Sequence, residues 1–319
     1  MGRYILGRLV SLLFVLILVS MITFTIMHLV PGGPFDERNQ RLPDAAKANI
    51  LRKYGLDQPV WKQYLKYMGS LIKGDLGIPF QDPTNTVANL IAEKWKVTAH
   101  VGLLTIFFSF GLGLLTGIYT AFRQNTWIDS FVTFFSMIGM TIPSFVVAMW
   151  LLLLFSSRLN WLPSGGWSEP ENWLIPGLFS KDWILPVLAY SLIPFSQMTR
   201  YTRTSIIEVM NADYVRTAHA KGAAQKVVVG RHILRNALIP IVTAMGPEIP
   251  NLLTGSIFIE AIFRIPGLGK YFVTSTYNRD YPMIMALVLL IAAFWGITYL
   301  VTDILYTLID PRVRLNAKG

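Results

Sequence analysis

Between Leu9 and Val30 the chain runs for 22 residues without an Asp, Glu, Lys or Arg. Crossing the roughly 30 Å hydrocarbon core of a bilayer takes about 20 helical residues, and inside lipid only a helix or a closed barrel satisfies its own backbone. Charge-free runs recur at 97–122, 131–157 and 281–302, and a run at 236–259 carries one acid, Glu248. A shorter run at 183–199 contains Pro186 and Pro194. These runs predict an all-α polytopic membrane protein with six transmembrane helices and both termini on one side. The first run exceeds the roughly 7–15 apolar residues of a secretory signal, and no small-x-small site precedes Pro31, so it is expected to stay as a helix.

Arginines and lysines of short loops accumulate on the cytoplasmic face, which sets the orientation. With the N-terminus inside, the inner pieces hold thirteen: Arg3, Arg8, Arg123, seven from Arg200 to Arg235, and Arg312, Arg314 and Lys318. The short outer loops hold five: Arg158, Lys181, Arg264, Lys270 and Arg279. Both termini are therefore expected in the cytoplasm. This bias uses much of the formal net charge of +10, so a nucleic-acid partner is not expected. The organisation is then an N-terminal helix (1–30), an extracytoplasmic segment (31–96), a five-helix core (97–309) containing an inner segment (200–235), and a cytoplasmic tail (310–319).

The outer 66-residue segment has ten further basic residues, but it is long enough to translocate regardless of charge. Within it, residues 57–74 place Trp61, Tyr64, Leu65, Met68, Leu71 and Ile72 at helical spacing between a capping Asp57 and a terminating Gly74. Residues 43–55 form a shorter candidate helix ending at Gly55. Two short amphipathic helices here would cap the outer mouth of a bundle, lie in the lipid interface, or dock a partner from outside.

Gly113 and Gly117 form a GxxxG pair that lets helix backbones approach closely. Pro143 sits near the middle of the third run, and Pro240, Pro247 and Pro250 fall in the fifth. Prolines in membrane helices are tolerated where neighbours or water satisfy the freed carbonyls, which is common along cavities. An ionisable side chain at membrane depth usually faces the bundle interior or a water-filled cavity. Glu248 would meet a substrate ammonium group there, or stay protonated or internally paired. Pro143, Glu248 and Asn251 are the residues expected along a solute pathway. Glu260 and Asp303 lie nearer the ends of their runs, and the four histidines are scattered.

There is no cysteine, so disulfides and thiolate metal sites are excluded, and no metal site is expected. PGLGKY (266–271) lacks the leading Gly and the trailing Ser or Thr of a phosphate loop, and no nucleophile elbow, HExxH or calcium loop occurs. No catalytic site is expected in this chain. Uphill transport would need an ion gradient or a separate motor.

Where a motor would attach is pointed to by the inner segment. In ADYVRTAHAKG (212–222), Val215, Ala218 and Gly222 form a stripe of small side chains flanked by Arg216 and Lys221, followed by the basic stretch KVVVGRHILRNALIP. The stripe is expected to let another surface come close. A DNA-binding helix-turn-helix is disfavoured because short membrane runs tie both ends to the bilayer.

DYVRTAHAKG followed by RHILRNALIP resembles the cytoplasmic motif of ABC importer permeases of the dipeptide and oligopeptide type. LVPGGPF (29–35), LPSGGW (162–167), NRDYP (278–282) and LIDPRVR (308–314) resemble the same family in order and spacing, as do the long stretches at 53–77 and 245–272. PGGPF is more similar to the first oligopeptide permease subunit. In the family's coupling motif, Glu-Ala-Ala with a later Gly and a closing Leu-Pro, the first places are held here by Arg216, Thr217 and Ala218. Gly222 falls on the glycine, and Arg235 replaces the final proline.

The resemblance implies a type I importer permease fold and alternating access driven by other chains. It implies a homologous second permease, two ATP-binding subunits that hold ATP and Mg, an extracytoplasmic peptide-binding protein, and membrane lipid around the bundle. It also implies that Asp213, Tyr214, Val215, Arg216, Ala218, Lys221 and Gly222 couple to the ATPase. An ion-coupled secondary transporter, a peptide-sensing receptor, and a permease for nickel or a sugar stay open as alternatives.

Overall fold

The computed structural model describes residues 2–35, 44–168 and 180–309, so the expected tail with Arg312, Arg314 and Lys318 lies outside them. Among the described residues all regular structure is helical. The helices are α1 (Gly2–Leu29), α2 (Asp44–Tyr54), α3 (Val60–Ile72), α4 (Val87–Phe122), α5 (Trp127–Thr141), α6 (Ser144–Arg158) and α7 (Ile184–Met210). They continue with α8 (Asp213–Ala220), α9 (Gln225–Met245), α10 (Glu248–Thr254), α11 (Ile257–Ile262), α12 (Leu268–Asn278) and α13 (Tyr281–Ile309).

By length and apolarity four of these can cross a membrane: α1 over Ile5–Leu29, α4, α9, and α13 over Tyr281–Ile304; the α5–α6 pair makes a fifth if it counts as one crossing. The fourth expected run is helical as α7, unbroken by its prolines, with Pro194 inside it. Its C-terminal half carries Arg200, Arg203 and Glu208, which makes the whole helix too polar to qualify by composition alone.

Several boundaries differ from those read off the charge-free runs. Helix α4 begins ten residues before Val97, because Glu93, Lys94 and Lys96 end an apolar run without ending a helix. The third run is two helices meeting at 102°. Pro143 has no N–H and holds Ile142 extended, at ψ 123°, so the ladder of α5 stops there and α6 leaves in another direction. The fifth run is displaced toward the N-terminus. Helix α9 starts at Gln225, contains a π-helical stretch at Val228–Leu234, and stops at Met245; the remainder is α10, a turn through Gly255 at φ +90°, and α11. In the outer segment α3 starts after Pro59, not at a capping Asp57, because proline is preorganised for a helix entrance.

The chain forms two compact units, Met1–Lys96 with Gly267–Gly296, and Val97–Pro266 with Ile297–Gly319. In the first, Phe24, Met27, Phe35, Phe80, Tyr281 and Met285 build one core, and Val87, Leu90, Ile91, Leu268, Met283 and Leu287 another. Asp280 caps α13: its carboxylate accepts from Met283 N–H at 3.4 Å and from Gln81 N–H at 3.2 Å. Burial pushes that carboxyl up from its ordinary range, against the pull of the backbone donors.

In the second unit the GxxxG pair of α4 faces α7. A Cβ on Gly113 would lie 2.8 Å from Met198 Cβ, and one on Gly117 2.6 Å from both Thr199 O and Thr202 Cβ. Neither neighbour can retreat without moving α7. Gly117→Val is therefore expected to cost about 1–3 kcal/mol, as overpacking does, read as a lower melting temperature of the detergent-purified chain.

Candidate functional site

Three arrangements in the second unit carry charged or polar groups where a membrane protein has reason to keep them.

The first is α8. Helix α7 ends at Asn211, whose side-chain Nδ2 donates to Ile207 O at 3.0 Å, and Ala212 then turns extended. Helix α8 runs only eight residues. It ends in a Schellman turn: Ala223 N–H donates to Ala218 O at 3.2 Å and Gly222 N–H to His219 O at 2.9 Å. Gly222 stands at φ +73°, a left-handed conformation that a side chain strains, and open space surrounds the position of a Cβ. Val215 and Ala218 are 2% and 8% exposed, packed with Ala121, Ile206, Val228, Ile233 and Ala237.

Of the stripe expected to admit another surface, Val215 and Ala218 face the chain's own core and Gly222 serves the turn. Burying Val215 contributes roughly 1.5–3 kcal/mol to holding α8 in place. The outward face is Asp213, Tyr214, Arg216, Thr217 and Lys221, all exposed. Arg216 lies 3.7 Å from Asp213, but both are so open to solvent that the pair adds little.

The second arrangement ties α5 to α7. Arg203 forms a fork on Asp129, with Nη2 donating to Oδ2 at 2.8 Å and Nε to Oδ1. Asp129 is buried and also accepts from Asn125 N–H at 3.0 Å. Thr126 caps α5 by accepting from Asp129 N–H. Sequence reasoning passed over both partners, which are 74 positions apart; the local signal was Thr126 three residues before Asp129, a helix-start pattern.

The third gathers acids around α10 and α11. Glu248 opens α10 and is half-buried, whereas Glu260 on α11 is 2% exposed and accepts from Thr98 Oγ1 at 2.8 Å. Tyr190 Oη donates to Asn251 O at 3.1 Å, tying α7 to α10. A Cβ on Gly102 would collide with Leu252 O, so α4 and α10 touch backbone to backbone. Pro143 is exposed at the α5–α6 bend, near the Phe145–Phe258 ring pair, whose centroids are 5.5 Å apart. The structure thus joins Asn251 to Tyr190. Of the two acids in this arrangement Glu260 is the more buried, and Glu248 is half-buried.

Residues 113–315 match the family described as binding-protein-dependent transport system inner membrane component, and residues 1–99 match that system's N-terminal membrane component. The chain belongs to this family. This inner membrane component is 40% identical over 315 residues to the dipeptide transport system permease protein DppB of Lactococcus lactis subsp. cremoris, covering 99% of this chain and 100% of that one. It is 38% identical over 314 residues to the oligopeptide transport system permease protein OppB of Salmonella typhimurium, at 98% and 100% coverage. The fold resembles a chain of the MetNI methionine ABC transporter in an inward-facing conformation, with a TM-score of 0.54, 18% identity, and coverage of 69% of this chain and 96% of that one. As a family member, the chain is a multi-pass inner-membrane transporter component with an ABC importer permease fold. The N-terminal match ends at residue 99, close to the point between Lys96 and Val97 where the chain first passes from one compact unit to the other.

Proposed function

We propose that this chain is one half of the membrane pathway of an ATP-driven importer of peptides. The observation that carries the reading is the full-length relationship to DppB and OppB, spanning both compact units. A homologous second permease would complete the pathway, two ATP-binding subunits would hold ATP and Mg, and an extracytoplasmic binding protein would deliver the peptide. The PGGPF stretch favours oligopeptides as cargo. No step of hydrolysis is assigned to this chain.

The basic residues of the short loops support both termini inside and six crossings, with α7 and the bent α5–α6 pair each counted as one. Coupling then falls to the outward face of α8. Tyr214, Arg216 and Lys221, with Asp213, would touch the ATPase; Val215, Ala218 and Gly222 would act by seating and ending the helix. Pro143, Glu248 and Asn251 remain the proposed pathway residues, joined by Glu260 and Tyr190 on the strength of their burial and bonding.

Single cysteines test the coupling face, since the chain has none of its own. In the assembled transporter, Tyr214→Cys and Arg216→Cys are expected to crosslink to an ATPase subunit carrying a surface cysteine, and Ala218→Cys is not. Crosslinking from Ala218→Cys alone would return the small stripe to the docking role and overturn this assignment.

A further inference from the structure

Helix α3 has three distinct faces. One packs inward: Tyr64 and Tyr67 join the core built on Phe24, Phe80 and Tyr281. A second is apolar and open, with Trp61 60%, Leu65 59% and Ile72 83% exposed. At 3.6 residues per turn these three fall within about 40° of one another, with Met68 beside them. The third holds Lys62 and Lys66, with the C-capping Lys73 in line with them, about 100° further round the helix. No acid occurs in α3.

The contacts of α3 place it beside a membrane-spanning helix, not above its end. Tyr64 Oη lies 2.8 Å from Ser20 Oγ, the Tyr64 and Phe24 rings meet edge-on at 5.4 Å, and Gln63 Oε1 lies 3.2 Å from His28 Nε2. All three α1 partners belong to the apolar Ile5–Leu29 span. Ser20 lies nine residues short of Leu29, or about 13 Å along the helix. An apolar stripe on a helix packed along the last turns of such a span is suited to hydrocarbon as its neighbour. Trp61 sits with Lys62 Nζ 5.4 Å from its ring centroid, a pairing of amphipathic ring and snorkelling cation suited to the headgroup level.

We propose that α3 is an interfacial membrane helix. Its Leu65 and Ile72 are sunk among the acyl chains of the leaflet at the Leu29 end of α1, Trp61 lies at the boundary with the headgroups, and Lys62, Lys66 and Lys73 pair with the anionic headgroups of that leaflet. The helix anchors the first unit's outer segment to the bilayer, whatever the cargo of the transporter. Basic residues beside a surface-bound helix each add roughly 1 kcal/mol of attraction to an anionic leaflet, so three of them reinforce the apolar contact.

The test uses spin labels on Leu65→Cys, Ile72→Cys and Lys66→Cys in the full chain, reconstituted in vesicles of phosphatidylethanolamine and phosphatidylglycerol, with Phe14→Cys on the exposed side of α1 as the lipid-facing reference. At positions 65 and 72, collisions with oxygen are expected to exceed those with a water-soluble nickel chelate several-fold, as at Phe14, and at position 66 the order should reverse. In vesicles without the anionic lipid, nickel collisions at 65 should rise several-fold; no change there would overturn the headgroup half of the proposal. Nickel collisions at 65 and 72 matching those at 66 would show a water-facing stripe. Exclusion of both reagents at 65 and 72 would show a protein covering it. Either result overturns the lipid assignment.

Discussion

Val215→Asp is expected to detach α8 while leaving the membrane helices folded. The side chain at this position is 2% exposed among Ile206, Val228 and Ile233, and an unpaired carboxylate there costs about 3–5 kcal/mol. Helix α8 is held by little else than Val215 and Ala218, so the cost falls on this local element and the segment opens without global unfolding. Limited proteolysis of the purified chain should show new cleavage at 211–224, and ATPase association should be lost with it. Arg216→Glu gives the complementary result. That residue is exposed, so the variant should resist protease as the parent does and still fail to stimulate the ATPase. Protease resistance in Val215→Asp would mean that α8 is held by contacts other than the buried pair.

Arg203→Met should be the most destabilising change to the α5–α7 contact. It leaves Asp129, 3% exposed, with backbone and hydroxyl donors but no cation, and removing one partner of a buried ion pair costs about 3 kcal/mol or more. The double variant Asp129→Asn, Arg203→Met should recover part of that loss, because no buried charge is then left unpaired. Melting of the detergent-purified variants checks both statements. Equal destabilisation in the single and double variants would show that the pair is needed for packing geometry, not for charge balance.

The long apolar helices were legible because their signal is local: α1 and α13 follow from the absence of charge over twenty residues or more. Boundaries were less legible, since a charge ends an apolar run without ending a helix. Glu93 to Lys96 hid the first turns of α4, and Arg231 and Arg235 hid the first half of α9. Pro143 marked an interruption, but the 102° bend it permits is set by what α5 and α6 pack against, including the close approach of Gly139 to Ser196 on α7.

At α8 the spacing of Val215 and Ala218 marked one face of the helix, and in the structure that face packs on the chain's own Ile206, Val228 and Ile233. Periodicity says that a face is covered and is silent about what covers it. The same ambiguity attached to α3, where the outward stripe and the inward tyrosines share one helix and only the contacts with Ser20 and Phe24 separate them. Asp129 with Arg203, and Thr98 with Glu260, are pairs made by tertiary structure across 74 and 162 positions, beyond the reach of any local pattern.

ATP-driven import is measured as peptide uptake into vesicles holding this chain with its second permease, the two ATP-binding subunits and the binding protein. Accumulation of labelled peptide should require ATP and continue after ionophores have collapsed all ion gradients. Accumulation driven by an ion gradient in the absence of ATP would rule out an ATP-driven importer.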